Sequence, residues 1–250
     1  MRQRPGVALM LAVWMVAVLG AIAAAIVSAT RGSESLAMNL KAEAQARRAA
    51  ESGAIMGVAA LERLLADSRD SSSRRVLLNS LEKGRIGAEE QALGDERFVF
   101  TFVDVNSRLD VNWATAQQLA RLFQYFTSPM EAAAAASAIR GSAGESGTSM
   151  PRSAPLRSLD ALDGVPGVSR DLLMKTAPYL TVDGDGRINA ASASDTVLAA
   201  AAGDVEYEPS RLLLVSRGWA KGHKLTHEIQ AVYAIELNKL VLVHWRERDL

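Results

Sequence analysis

"MRQRPGVALMLAVWMVAVLGAIAAAIVSATR", residues 1–31, is the stretch on which the reading of the whole chain turns. A few basic and turn-forming residues ending in Gly6 lead into a run from Val7 to Val27 that carries no charged or strongly polar side chain. As an α-helix this run extends about 32 Å, enough to cross a bilayer core. A secretory signal peptide has a shorter apolar region, about 7–15 residues, closed by a small-x-small cleavage site. Such a site exists at Val27-Ser28-Ala29, before Thr30. A secreted soluble binding domain with a cleaved leader therefore stays open as a reading, while length favours a retained anchor. Arg2 and Arg4 precede the run and Arg31 follows it, which points to a cytoplasmic N-terminus with everything after residue 31 outside the cytoplasm.

Immediately downstream, "SLAMNLKAEAQARRAAESGAIMGVAALERLLADS" (35–68) keeps helical chemistry, with Ala54, Val58, Leu61 and Leu65 at spacings of three and four. The membrane helix is expected to run on into a soluble region. "DSRDSSSRR" from Asp67 is polar and turn-rich and reads as the end of that helix. "RFVFTFVDV" (97–105) then alternates, with Phe98, Phe100 and Phe102 on one face, as a half-buried strand does.

The middle of the chain is helical and broken. Thr115 and Gln118 form a capping-box pair ahead of "LARLFQYF", and "PMEAAAAASAIR" (129–140) is a second helical piece. Residues 140–158 read as a mobile loop by composition. Beyond it come a short helix, a turn at Gly164-Val165-Pro166-Gly167 and another short helix begun by Ser169. "RLDVNWATAQQL" from Arg108 and "RINAASASDTVL" from Arg187 match weakly, each a strand end turning into a capped helix, and capping chemistry alone suffices to explain the match. Toward the C-terminus, "SRLLLVSRGWA", "KLTHEIQAVYAIEL" and "KLVLVHWRER" are strand-like, the last two joined by a hairpin turn placed at Asn238-Lys239. Ile229, Ala231, Tyr233, Ile235 and Leu237 share one face, and the long helix is its natural cover.

With 250 residues, 49% of them hydrophobic, the chain can build one anchor and one or two globular modules. Lys plus Arg equals Asp plus Glu at 28 each, so no global field recruits nucleic acid. Cysteine is absent, which excludes disulfides, thiolate nucleophiles and cysteine zinc sites.

The residues that carry a family likeness are the leader "RQRPG", the run "VALMLAVWMVAVLG" that follows it, and the order of segments after them. Together they resemble type IV pilin-like proteins, in which a prepilin peptidase cuts after the glycine, here Gly6, and methylates the new N-terminal residue, here Val7. Most members have glutamate at the fifth mature position, which here is Leu11. The K-type minor pseudopilin of the type II secretion system is the member that usually lacks it. "QARRAAESGAIMGVAALERLL", "FVDVNSRLDVNWATAQQLARLF", "SLDALDGVPGVSRDLLMKTAPYLTV" and "RINAASASDTVLAAA" resemble that family's segments in the same order. The resemblance implies a single-pass inner-membrane protein at the tip of a periplasmic pseudopilus, with the I-type and J-type minor pseudopilins, the prepilin peptidase and inner-membrane lipid as partners. A type IV pilus or competence minor pilin is the related alternative. The Asp-rich segment of the family's helical domain is replaced here by "AAAAASAIRGSAGESGTSM", which leaves calcium binding without support.

Other motifs read as structure. "TVDGDGRIN" places Asp183 and Asp185 as weak calcium candidates, but Ser192 falls where an EF-hand loop needs a chelating glutamate, so a turn is favoured. "GVPGV" resembles a DNA-binding helix-hairpin-helix turn, yet Asp160, Asp163 and Asp171 surround it and phosphate affinity needs positive charge. His223, His227 and Glu228 read as polar strand-edge residues, since positions four apart on a strand do not converge. No nucleophile elbow, phosphate loop or His-Glu-x-x-His helix is present, and no catalytic site or cofactor is expected.

The expected fold is α+β: a long N-terminal transmembrane helix continuing into a pilin-like antiparallel sheet, with an inserted small helical subdomain. Its divisions are a leader (1–6), the span (7–27), an amphipathic extension (28–66), the start of the α/β domain (67–112), the helical insert (113–200) and the C-terminal strands (201–250).

Overall fold

The apolar run and its charged continuation form one helix, α1 (Pro5–Asp67), about 95 Å long at 1.5 Å per residue. The structure, a computed structural model, describes residues 5–81, 89–141, 155–203 and 205–250. α1 stops at Asp67, but the serine cluster after it is itself helical. Asp70 accepts a 2.7 Å hydrogen bond from the Ser73 amide and caps α2 (Ser71–Ser80). A side-chain oxygen at the N-cap satisfies one of the orphan amides of a helix start, which is how a polar run becomes a helix start rather than a loop.

Five strands build an antiparallel sheet in the order β1-β2-β5-β6-β7: β1 (Gln91–Leu93), β2 (Glu96–Asp104), β5 (Arg211–Ala220), β6 (Thr226–Glu236) and β7 (Lys239–Asp249). The alternation in β2 works as read, with Phe98, Phe100 and Phe102 buried beneath α1. Leu212 and Leu214 of β5, and Ile229, Ala231 and Tyr233 of β6, complete that core with Leu61 and Leu65 of α1. Each fully buried Leu, Ile or Phe contributes about 1.5–3 kcal/mol.

Two details of the last hairpin differ from the sequence reading. Glu236 pairs with Lys239, so the turn is Leu237-Asn238 rather than Asn238-Lys239. Leu237 does not share the packed face. It sits in the turn at φ 55° and is 86% exposed.

Between β2 and β5 the chain leaves the sheet to build a second core from β3 (Leu109–Asp110), α3 (Ala116–Phe123), α4 (Pro129–Gly141), α5 (Arg170–Thr176), β4 (Leu180–Thr181) and α6 (Asp195–Ala201). β3 and β4 pair in parallel. The capping box of α3 is present, with the Gln118 amide donating to Thr115 Oγ1 and the Thr115 amide to Gln118 Oε1. Ser169 and Ser194 cap α5 and α6. The two similar helix starts also share their lead-in: Asp110 Oδ1 accepts from the Asn112 amide and Asn189 Oδ1 from the Ala191 amide, two residues on in each case. Of the loop read over 140–158, residues 142–154 lie outside the described residues. Beyond them the Leu156 amide donates to Asn112 Oδ1 at 2.7 Å.

Candidate assembly surface

The apolar run in the first half of α1 is bare. Leu9–Ile26 has a mean hydropathy of 2.6 and no buried residue, and it is long and apolar enough to cross a membrane. Gly6 and Val7 lie in the first turns of α1, and Leu11 is 56% exposed on the bare run. Among the described residues of α1, the first buried one is Ala42. From there a stripe of small residues, Ala42, Ala46, Ala49, Ala50, Gly53 and Gly57, lets the helix lie almost on the strands. A side chain at Gly218 of β5 would collide with the α1 backbone at Ala46, Ala49 and Ala50. One at Gly57 would meet Phe100 at 3.0 Å and Leu214 at 3.2 Å. α1 is therefore held closely by its second half, while the span Leu9–Ile26 stays uncovered.

β7 is the outer strand on one side of the sheet. Val241, Leu242 and Val243 are exposed along it, and its register shifts opposite Val232 and Tyr233. Such a bulge twists an edge and limits unplanned strand pairing. The polar residues read as edge positions behave differently. His227 and Glu228 belong to β6, an interior strand, and both are buried. His227 Nδ1 lies 2.6 Å from Asp249 and Nε2 3.2 Å from Glu247. Glu228 is fully enclosed and receives Arg217 at 2.5 Å, Gln230 at 2.6 Å and Arg248 at 2.8 Å. Burial pushes its carboxyl up, but the bonds from Arg217, Gln230 and Arg248 outweigh that and hold it below the usual range. His223 stays exposed in the β5–β6 loop and does not join them.

The joint between sheet and insert is made of carboxylates and amides. Asp183 turns its oxygens to Arg246 at 2.5 Å and His244 at 3.1 Å. Asp185 accepts instead from Asn106 at 2.9 Å and Ser210 at 2.8 Å. The two weak calcium candidates thus point to separate partners across a turn with Gly186 at φ 86°. Among the described residues, no group of three or more His, Asp or Glu is arranged to hold a metal. Asp104 accepts from Asn189 at 2.7 Å and from Ser192 at 2.5 Å, and burial lifts its carboxyl above the ordinary value despite these bonds. Burial also depresses His244, against the pull of Asp183.

Asp110 is the least satisfied of the group. Its Oδ2 is buried without a hydrogen bond, and burial pushes the carboxyl up to about 7 against the Asn112 amide and the Arg211 charge. Sequence reading did not single out Asp104, Asp110 or Asn189, and it took Glu228 for an edge residue, because their partners come from segments far along the chain. The available signal was the density of Asp and Asn at 104–112 and 183–189.

The bare helix, close-packed sheet and helical insert can be compared with known proteins as a whole. No protein-family model and no curated protein sequence matches the chain. Among solved structures it is similar to a chain in the crystal structure of the GspK-GspI-GspJ complex from the enterotoxigenic Escherichia coli type 2 secretion system. The TM-score is 0.51 at 13% identity, over 76% of this chain and 94% of that one. The two share a fold. It is α+β and pilin-like, with an N-terminal apolar helix, an antiparallel sheet and further helices. At this identity the likeness extends to architecture and not to individual residues.

Proposed function

We propose that the chain is a K-type minor pseudopilin of a type II secretion system, anchored in the inner membrane with a cytoplasmic N-terminus and a periplasmic domain. It sits at the tip of the pseudopilus and initiates or caps the filament that exports folded proteins. The observation that carries this reading is the architectural match to almost the full length of a chain from a GspK-GspI-GspJ complex. The bare span Leu9–Ile26 supports it by supplying an anchor. In this reading a prepilin peptidase cuts between Gly6 and Val7, Val7 is methylated, and the partners are I-type and J-type pseudopilins.

Leu11 fits a tip position. A carboxylate there is costly in lipid or a filament core unless a neighbouring amine pairs with it, and a tip subunit has no subunit above to supply one. Mass spectrometry of the mature N-terminus tests the processing: methylated Val7 is expected, whereas a start at Thr30 establishes a cleaved secretory leader. Co-purification with the I-type and J-type pseudopilins of the same organism tests the assembly. Recovery of neither partner, together with a Leu11→Glu variant that enters the filament shaft and supports secretion, removes the tip assignment.

A further inference from the structure

The strand β5 runs past α1 at Gly218 toward the anchor, and the loop after it returns beside the last uncovered turns of the helix. Met38 and Lys41 of α1 line one shallow pocket with Lys221 and His223. His223 also borders a second hollow with Trp219 and Lys224. Lys41, Lys221, His223 and Lys224 are all exposed, and none of them forms an ion pair among the described residues. Leu225 is exposed beside them. Asp95 is the acidic residue in the wall of the first pocket, and no acidic side chain lines the second. Since the chain carries 28 basic and 28 acidic residues, this concentration of unpaired lysines is local.

We propose that the β5–β6 loop, with Lys41, docks on the anionic lipid headgroups of the membrane that holds α1. The proposal rests on the anchor reading above, which fixes this end of the domain as the one facing the bilayer. Lys41 follows Ile26 by fifteen residues, about 22 Å of helix, and the headgroup layer occupies about 5–7 Å of that distance. The sheet lies on one side of α1 only, so leaning the helix toward its sheet lowers the loop. Membrane helices lean by about 0–40°, and a lysine's reach plus a screening length of about 8–10 Å closes the remaining gap. Basic residues near an anionic leaflet are attracted to it, while a tryptophan favours the headgroup level. Trp219 lines the second hollow with Lys224, and the exposed Leu225 follows Lys224 in the loop.

The absence of cysteine makes the test direct. The full chain carrying His223→Cys is labelled with a fluorophore and placed in nanodiscs containing nitroxide-headgroup lipid. The discs are made either of phosphatidylcholine alone or of equal parts phosphatidylcholine and phosphatidylglycerol. A second chain labelled at Asn238→Cys, in the hairpin at the other end of the sheet, is the control. Quenching at position 223 and not at 238, in anionic discs at low salt, is the expected result. Neutralising Lys41, Lys221 and Lys224 to Gln should weaken the contact about fivefold per lysine. Equal quenching at both positions, quenching that persists in the triple variant, or a loop shielded only by an acidic protein and indifferent to phosphatidylglycerol, each overturns the proposal. Alkaline extraction reports on the anchor separately: a chain that washes off the membrane refutes the anchor and the docking together, whereas a retained chain with an unquenched loop refutes the docking alone.

Discussion

Ser216 Oγ donates a 2.7 Å hydrogen bond to the carbonyl oxygen of Ala50, joining the middle of the sheet to the backbone of α1. The contact is possible because Gly218, two residues on, has no side chain to hold the helix away. Gly218→Val should therefore displace α1 from β5. The collision is with backbone, which cannot move aside as a side chain can, so the loss should exceed the about 1–3 kcal/mol typical of overpacking. Ser216→Ala should cost only about 0.5–1.5 kcal/mol. Urea unfolding of the two variants in the same detergent checks the order.

Asp110 should make the chain less stable as pH rises through neutrality. Its folded value of about 7 lies above the ordinary 3.8, so the folded state holds a proton that the unfolded state releases. The stabilisation is fully present below about 3.8 and is lost as pH rises through about 7. Asp110→Asn should match the parent near pH 4 and exceed it at pH 8, by as much as about 4 kcal/mol. Asp104 is raised in the same direction and His244 is lowered, which opposes them below its ordinary 6.5. The difference between variant and parent, measured by unfolding at several pH values, isolates Asp110. A difference that does not change with pH would show that its carboxyl is ionised throughout.

Glu228 depends on two arginines whose own side chains are 51% and 56% exposed. Replacing either Arg217 or Arg248 by Ala should cost about 1 kcal/mol or less, since water screens each exposed head and the other remains. Replacing both leaves a buried charge without a cationic partner and should cost about 3 kcal/mol or more. Adding Glu228→Gln to the double variant should recover most of that loss. A double variant whose cost equals the sum of the singles would mean that the carboxylate finds water instead.

Leu237 adopts a left-handed backbone at φ 55° with its side chain in solvent. A branched apolar side chain gains nothing there, and the conformation costs about 1–2 kcal/mol relative to an ordinary one. Leu237→Gly should raise stability by about 1 kcal/mol, which a shift in the thermal midpoint will register. A fall would show that Leu237 packs against a partner in the preparation.

These sites indicate where the sequence was transparent. Period-two burial in β2, the Thr115 and Gln118 box, and the three C-terminal strands were legible because each is encoded by neighbours a few residues apart. α2 was hidden because Asp70 converts a serine cluster into a helix start. The hairpin turn was misplaced by one residue because Leu237 is a poor residue for the conformation it adopts. Glu228, Asp110 and Asp183 were opaque as a group. Arg248 beside Glu228, Arg246 beside Asp183 and the burial around Asp110 are all supplied only by the folded chain.

The break between β2 and β5 has a wider meaning. Asp104 pairs with Leu212 on the adjacent strand, so the chain departs and returns at one point of the sheet. Among the described residues, none from 105 to 211 enters the core beneath α1, and none outside 109–205 enters the core of the insert. The intervening block is thus a cassette. Its apolar core is separate from that of the helix-and-strand chassis, and the two are tied by polar bonds such as Asn189 to Asp104 and Arg246 to Asp183, so a change of volume inside the block need not reach the core beneath α1.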